Sequence, residues 1–203
     1  MDHESPCQCS MEALHIMTEL RNVHTVVDLG TILDLVNRVY KQGQTMIGCS
    51  NCKKSPQSSI VTLPALAEQC LSLFEAVCST YNISRRNALF DPAVLAFEQP
   101  LPQFICIRSK TVLGQMELND EESGLLVKIL LNRSLVRLLE LLELLKDIVG
   151  AFSKDTSHTH PVGVATLRAC ESSVESTIHR FAVFMEQIDV ESGKSLQLFA
   201  GVV

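Results

Sequence analysis

Tryptophan is absent from the 203 residues, tyrosine occurs twice, and aromatic residues make up only 5%. That is little material for stacking on nucleic-acid bases. Positive charge is short as well. Seventeen Lys and Arg against 23 Asp and Glu leave a formal charge of −6, so the chain lacks the cationic footprint that displaces counterions from a phosphate backbone. With only nine glycines and two tyrosines, it is poor in the parts enzymes use for tight ligand approach. There is no Gly-x-Ser-x-Gly elbow, no phosphate loop ending in Gly-Lys and no His-Glu-x-x-His, and each of these chemistries needs its motif to place a nucleophile, a phosphate or a metal. No enzyme activity is expected. Met1–Ser10 has neither a basic start nor an apolar stretch, so no secretory leader is expected. The longest leucine-rich run, Leu125–Val149, is broken by Lys128, Arg133, Arg137, Glu140, Glu143, Lys146 and Asp147. Charges at that density oppose a membrane span, and a soluble intracellular chain is the expectation.

What is present is ordinary globular material: 46% hydrophobic and 20% charged residues. The apolar residues recur at helical spacing. Leu14, Met17 and Leu20 follow Ser10, a plausible N-cap, and Val26 to Tyr40 form a second period that decays at Gly43. A polar turn at 21–25 makes these two an antiparallel hairpin. Residues 47–59 are assigned to a loop. Thr62-Leu63-Pro64 predicts a helix start, followed by Leu66, Cys70, Leu73, Phe74, Val77, Cys78 and Tyr81 on one face. Residues 82–110, punctuated by Pro92, Pro100 and Pro102, are the least regular, with short helical turns expected and 104–107 extended and buried.

Asn119 with Glu122 imitates a capping box, behind which Asp120, Glu121 and Glu122 suit the positive end of a helix dipole. That helix is predicted to run to Val149 and stop at Gly150. Its seam, Leu131, Leu135, Leu138, Leu142, Leu145 and Val149, has spacings of four and three; Leu126, Leu130, Leu141, Leu144 and Ile148 make a second face. A helix apolar on two sides belongs between neighbours, and if the seam is exposed it is the candidate interaction surface, for a protein partner or a second copy. After a polar linker at 153–161, Val164, Leu167, Val174, Ile178, Phe181, Met185 and Ile188 trace a last helix. The expected fold is an all-α bundle of about five to seven helices around a long leucine-rich central helix. Residues 1–9 are assigned to a flexible N-terminus, 10–190 to a single domain and 191–203 to a tail.

Eight cysteines raise two chemistries. Without a leader, reduced thiols are the default, and Cys70, Cys78, Cys106 and Cys170 sit among apolar neighbours as small hydrophobes. Cys49-Ser-Asn-Cys52 is the one C-x-x-C. Two thiolates at this spacing chelate one face of a tetrahedral zinc, but a structural site needs four ligands. The hairpin would carry Cys7 and Cys9 towards Cys49, so a four-cysteine site is geometrically conceivable, with Cys9, Cys49 and Cys52 its metal candidates. The absence of a second C-x-x-C and the long stretch between the pairs weigh against it, and no cofactor is expected. His158 and His160 lie in a Ser/Thr-rich linker without a third ligand, and His15, His24 and His179 are isolated. Lys53-Lys54 and Arg85-Arg86 are too short to form a nucleic-acid patch.

The order of these pieces carries a resemblance. Cys9 before the first helix, ILDLVNRVY at 32–40, Cys49 and Cys52, LPALAEQCLSLFEAV at 63–77, a proline-rich loop, LGQMELNDEE at 113–122 and the leucine helix at 130–149 resemble the C-terminal domain of the aflatoxin regulatory protein family. These are fungal binuclear zinc cluster transcription factors that control secondary-metabolite gene clusters. The resemblance spans about 9–190. The family's six-cysteine DNA-binding module is not in this sequence: Cys52 is followed next by Cys70. The resemblance therefore implies a regulatory half without its DNA reader: a nuclear transcription regulator that touches DNA only indirectly, through a zinc-cluster factor or a second copy of itself. The alternatives are a cluster-encoded helical ligand-binding protein or enzyme with a pocket between helices, and a small structural zinc protein built on Cys49 and Cys52.

Overall fold

A computed structural model describes residues 7–23, 26–54, 60–83, 105–154 and 161–188. Among the described residues there are six helices: α1 (Cys9–Asn22), α2 (Leu29–Gly48), α3 (Ser50–Lys54), α4 (Leu63–Thr80), α5 (Asp120–Lys154) and α6 (Pro161–Ile188). Four short strands accompany them: β1 (Val26–Asp28), β2 (Ile105–Ile107), β3 (Val112–Leu113) and β4 (Met116–Glu117). The protein is all-α.

The centre is α4. Leu63, Leu66, Ala67, Cys70, Leu71, Leu73, Phe74, Ala76, Val77 and Cys78 are all buried, because α1, α2, α5, α6 and β2 all pack on this helix. By length and composition alone 60–80 is apolar enough to cross a membrane; here those side chains meet the other helices instead. Pro64 occupies the first turn, where its missing N–H costs no helical hydrogen bond.

The α5–α6 pair is the long wall of the bundle. The α5 seam, Leu131, Leu135, Leu138, Leu142, Leu145 and Val149, is fully buried in one core cluster with Leu167, Val174 and Phe181 of α6. This corrects the expectation of a contact surface: the seam is interior. A helix as apolar as α5 sheds most of its exposed hydrocarbon by facing its own chain, at about 1.5–3 kcal/mol for each large side chain removed from water. Lys146 closes the outer edge of the pair on Glu175 at 2.9 Å, and Arg180 of α6 pairs with Glu68 of α4.

Several expected boundaries move for local reasons. α1 starts at Cys9, not after Ser10, and its buried face is Ala13, Ile16 and Leu20, with Leu14 half-exposed. α2 starts at Leu29 because Asp28 is its N-cap: the Asp28 carboxylate accepts from the Thr31 amide at 2.9 Å and from its hydroxyl at 2.6 Å. Val26 and Val27 therefore lie outside the helix and pair in parallel with β2, Val27 opposite Cys106. In β2, Cys106 is buried while Ile105 and Ile107 are exposed.

Nor does α2 decay at Gly43. The helix runs on to Gly48, and Gly43 lies against α5, where a side chain would collide with Leu141. Gly150 likewise does not stop α5. It faces α6, where the Ser153 hydroxyl reaches both the Gly150 carbonyl and Glu171, so the tertiary contact extends the helix one turn. β3 and β4 form a hairpin whose turn begins at Gly114, with φ of 64°, a left-handed conformation suited to glycine. Of the linker expected at 153–161, Ser153 and Lys154 belong to α5 and Pro161 to α6; its remaining residues, the helical turns expected within 84–104 and the tail at 191–203 lie outside the described residues.

Candidate metal centre

The antiparallel hairpin of α1 and α2 decides where the N-terminal cysteines go. Along its length, the Arg38 guanidinium donates in a fork to both carboxylate oxygens of Glu19, at 3.1 and 2.5 Å. Nearer the open end, the Gln42 amide donates to the Cys9 carbonyl at 2.8 Å. These contacts hold the beginning of α1 against the last turns of α2.

α2 then breaks at Cys49, whose backbone is extended (φ −75°, ψ 124°). The chain re-enters a short helix at Ser50, with the Lys53 amide donating back to the Cys49 carbonyl at 3.1 Å. This half-turn swings Cys52 inwards, where it is 1% exposed. Cys7, Cys9 and Cys49 are half-buried around it.

The sulfurs of Cys7, Cys9, Cys49 and Cys52 all lie within 4.8 Å of one another, and the Cys7 and Cys52 sulfurs are 3.6 Å apart. A tetrahedral zinc with bonds of about 2.3 Å would hold its four sulfurs about 3.8 Å apart. The cluster thus has the dimensions of a single four-coordinate ion. Its electrostatics favour a thiolate at one corner. The Cys49 pKa is lowered to about 7, chiefly because the Cys52 backbone N–H, and with it that of Asn51, is directed at its sulfur. Burial raises that of Cys9. By contrast Cys70, wholly enclosed in α4, is pushed up to about 12 by burial alone.

Of the sequence candidates, Cys9, Cys49 and Cys52 are brought together. Cys7, not one of those three candidates, completes the set. The signal for Cys7 was present in its spacing: Cys7-x-Cys9 leads into α1, the helix that pairs with α2. His15 is an exposed partner of Glu19 at 3.6 Å, and His179 is exposed. His24, His158, His160 and Arg85-Arg86 lie outside the described residues.

A second feature is an open cleft of about 480 Å³ between the end of α4 and the start of α5, lined by Tyr81, Arg108, Asp120, Gly124, Leu125 and Lys128 among others. Its central cation is engaged: Arg108 pairs with Asp120 at 3.1 Å and lies 5.5 Å from the centre of the Tyr81 ring. The buried Tyr81 hydroxyl has no hydrogen-bond partner among the described residues.

Comparison with protein-family models, curated proteins and solved structures finds no match to this chain.

Proposed function

We propose that the chain is a helical regulatory domain that controls transcription of a fungal secondary-metabolite gene cluster through protein contacts, reaching DNA by way of a zinc-cluster factor or a second copy of itself. The family resemblance supplies the biological setting. The observation that carries the interaction mode is the two-sidedness of α5. Its inner seam is spent on the core, while its outer side leaves Leu125 62%, Ile129 57% and Leu144 55% exposed. Leu125 and Ile129 are one turn apart, so they present adjoining apolar surface, and contact residues of this kind sit at the centre of protein interfaces.

The test has two arms. Deleting the gene should change transcript levels of a biosynthetic cluster, and Leu125→Glu with Ile129→Glu should reproduce that change while leaving the fold intact by circular dichroism. A deletion that leaves every such cluster's transcripts unaltered refutes the regulatory role. A double variant that behaves as the native protein refutes this face as the contact.

The alternative, a ligand-binding helical protein, has one observation in its favour: the Tyr81 hydroxyl beside the cleft, without a hydrogen-bond partner among the described residues. A ligand seated there would raise the melting temperature by mass action, and Tyr81→Phe would diminish the effect.

A further inference from the structure

Independently of that reading, we propose that Cys7, Cys9, Cys49 and Cys52 bind one zinc ion as a closed four-thiolate site, which fastens the start of α1 to the junction of α2 and α3. Four sulfurs mutually within 4.8 Å fit a mononuclear ion. An iron–sulfur cluster interposes several iron and sulfide atoms between its cysteines and would spread these sulfurs further apart. Thiolate-only ligation excludes magnesium and calcium, which take oxygen donors, and four soft ligands at tetrahedral separation suit zinc. With all four positions supplied by the chain there is no place for a water or substrate, so the site is structural rather than catalytic.

The local backbone supports the assignment. The N–H groups of Asn51 and Cys52 are directed at the Cys49 sulfur, as a zinc-bound thiolate requires of its surroundings. Binding converts four thiols and Zn²⁺ into a site of net charge −2 with release of four protons. Lys53 and Lys54 follow Cys52 directly and place positive charge beside that excess.

The site also answers a weakness in the fold. α1 buries only Ala13, Ile16 and Leu20 and leaves Met11 71% exposed. Glu19–Arg38 and Gln42–Cys9 add polar ties to α2, and Met17 packs at the edge of the core. A metal bridging Cys7 and Cys9 to Cys49 and Cys52 locks the open end of this hairpin.

The experiment uses the full chain, expressed with zinc in the medium and purified under reducing conditions. Elemental analysis is expected to give about one zinc per chain. Stripping with a strong chelator should expose about four more thiols to Ellman's reagent and increase proteolysis within 9–22. Reloading with Co²⁺ should produce the intense thiolate charge-transfer and visible bands of a tetrahedral sulfur site. Cys49→Ser with Cys52→Ser should abolish metal retention, whereas Cys106→Ser should keep it. Zinc below about a tenth of an equivalent together with no cobalt spectrum, iron in place of zinc, or a disulfide among these four in freshly reduced protein would each overturn the proposal. The wild-type readouts decide it even where a variant fails to fold.

Discussion

Gly43 of α2 lies directly against Leu141 of α5, with no room between them for so much as a methyl group. An exposed helical glycine replaced by alanine would gain about 1 kcal/mol of helix propensity. Here the sign is expected to reverse. Gly43→Ala should destabilise the protein by about 1–3 kcal/mol through overpacking. Adding Leu141→Ala should recover part of that loss in a double-mutant cycle read by urea unfolding. A Gly43→Ala variant more stable than wild type would show that α2 and α5 do not approach this closely.

The two sides of α5 should respond differently to truncation. Leu138 is wholly buried, so Leu138→Ala should cost about 2–5 kcal/mol. Leu125→Ala, on the outer side, should change stability by no more than about 0.5 kcal/mol. The reverse ranking, or a Leu138→Ala variant that dissociates a dimer without loss of stability, would return the seam to the role of an oligomer contact.

At the start of α5 the Asn119 amide donates to the Glu122 carboxylate at 2.8 Å, and the Glu122 amide donates back to the Asn119 side chain at 2.9 Å. Both bonds satisfy amides that the first turn leaves without helical partners. Asn119→Ala should cost about 0.5–2 kcal/mol in chemical denaturation, while Asn119→Asp, which preserves the acceptor, should cost much less. Equal losses in the two variants would argue against the cap.

Acid should weaken the N-cap of α2. The Asp28 carboxyl is held below its ordinary range, first by the Thr31 hydroxyl and then by the Thr31 amide. Because the folded value is the lower one, the contribution is present above the unfolded value of about 4 and is lost as pH falls through the depressed one. Asp28→Asn keeps a capping acceptor without the titration. Because it lacks the second carboxylate oxygen that takes the Thr31 hydroxyl, it should be less stable than wild type near neutrality, and the gap should close below about pH 4. Glu19, lowered chiefly by its bonds from Arg38, titrates in the same direction, so a residual slope is expected in the variant. Identical acid profiles for the two proteins would remove Asp28 from the account.

Much of this arrangement was legible in residue order because its causes are local. The Asn119–Glu122 cap, the proline in the first turn of α4 and the 3.6-residue apolar faces depend on neighbours within a turn or two. The same holds for the face of α6, where Leu167, Val174, Phe181 and Ile188 are buried as their spacing implied. The antiparallel pairing of α1 with α2 followed from a short polar turn between two apolar periods.

What escaped had its cause elsewhere in the chain. Gly43 and Gly150 look like helix ends in one dimension, yet both are points where another helix comes close. Val26 and Val27 are extended because β2, far along the sequence, lies beside them. The leucine seam announces a contact, but whether it meets its own chain or another is a matter of how α4 and α6 are placed. The cysteines show the division most clearly. Their spacing marked one chelating pair, Cys49 and Cys52, whereas the 4.8 Å cluster exists only because α1 folds back along α2 and Cys49 turns the chain inwards. Residue type and short-range period thus marked the long helices and their apolar faces, since backbone hydrogen bonding and side-chain spacing are local, whereas α3 (Ser50–Lys54) falls in a stretch that reads as a loop and β1 in one that reads as helix. Which apolar face meets which, and which four sulfurs converge, came from packing the helices against one another, because close packing depends on the whole set of neighbours at once.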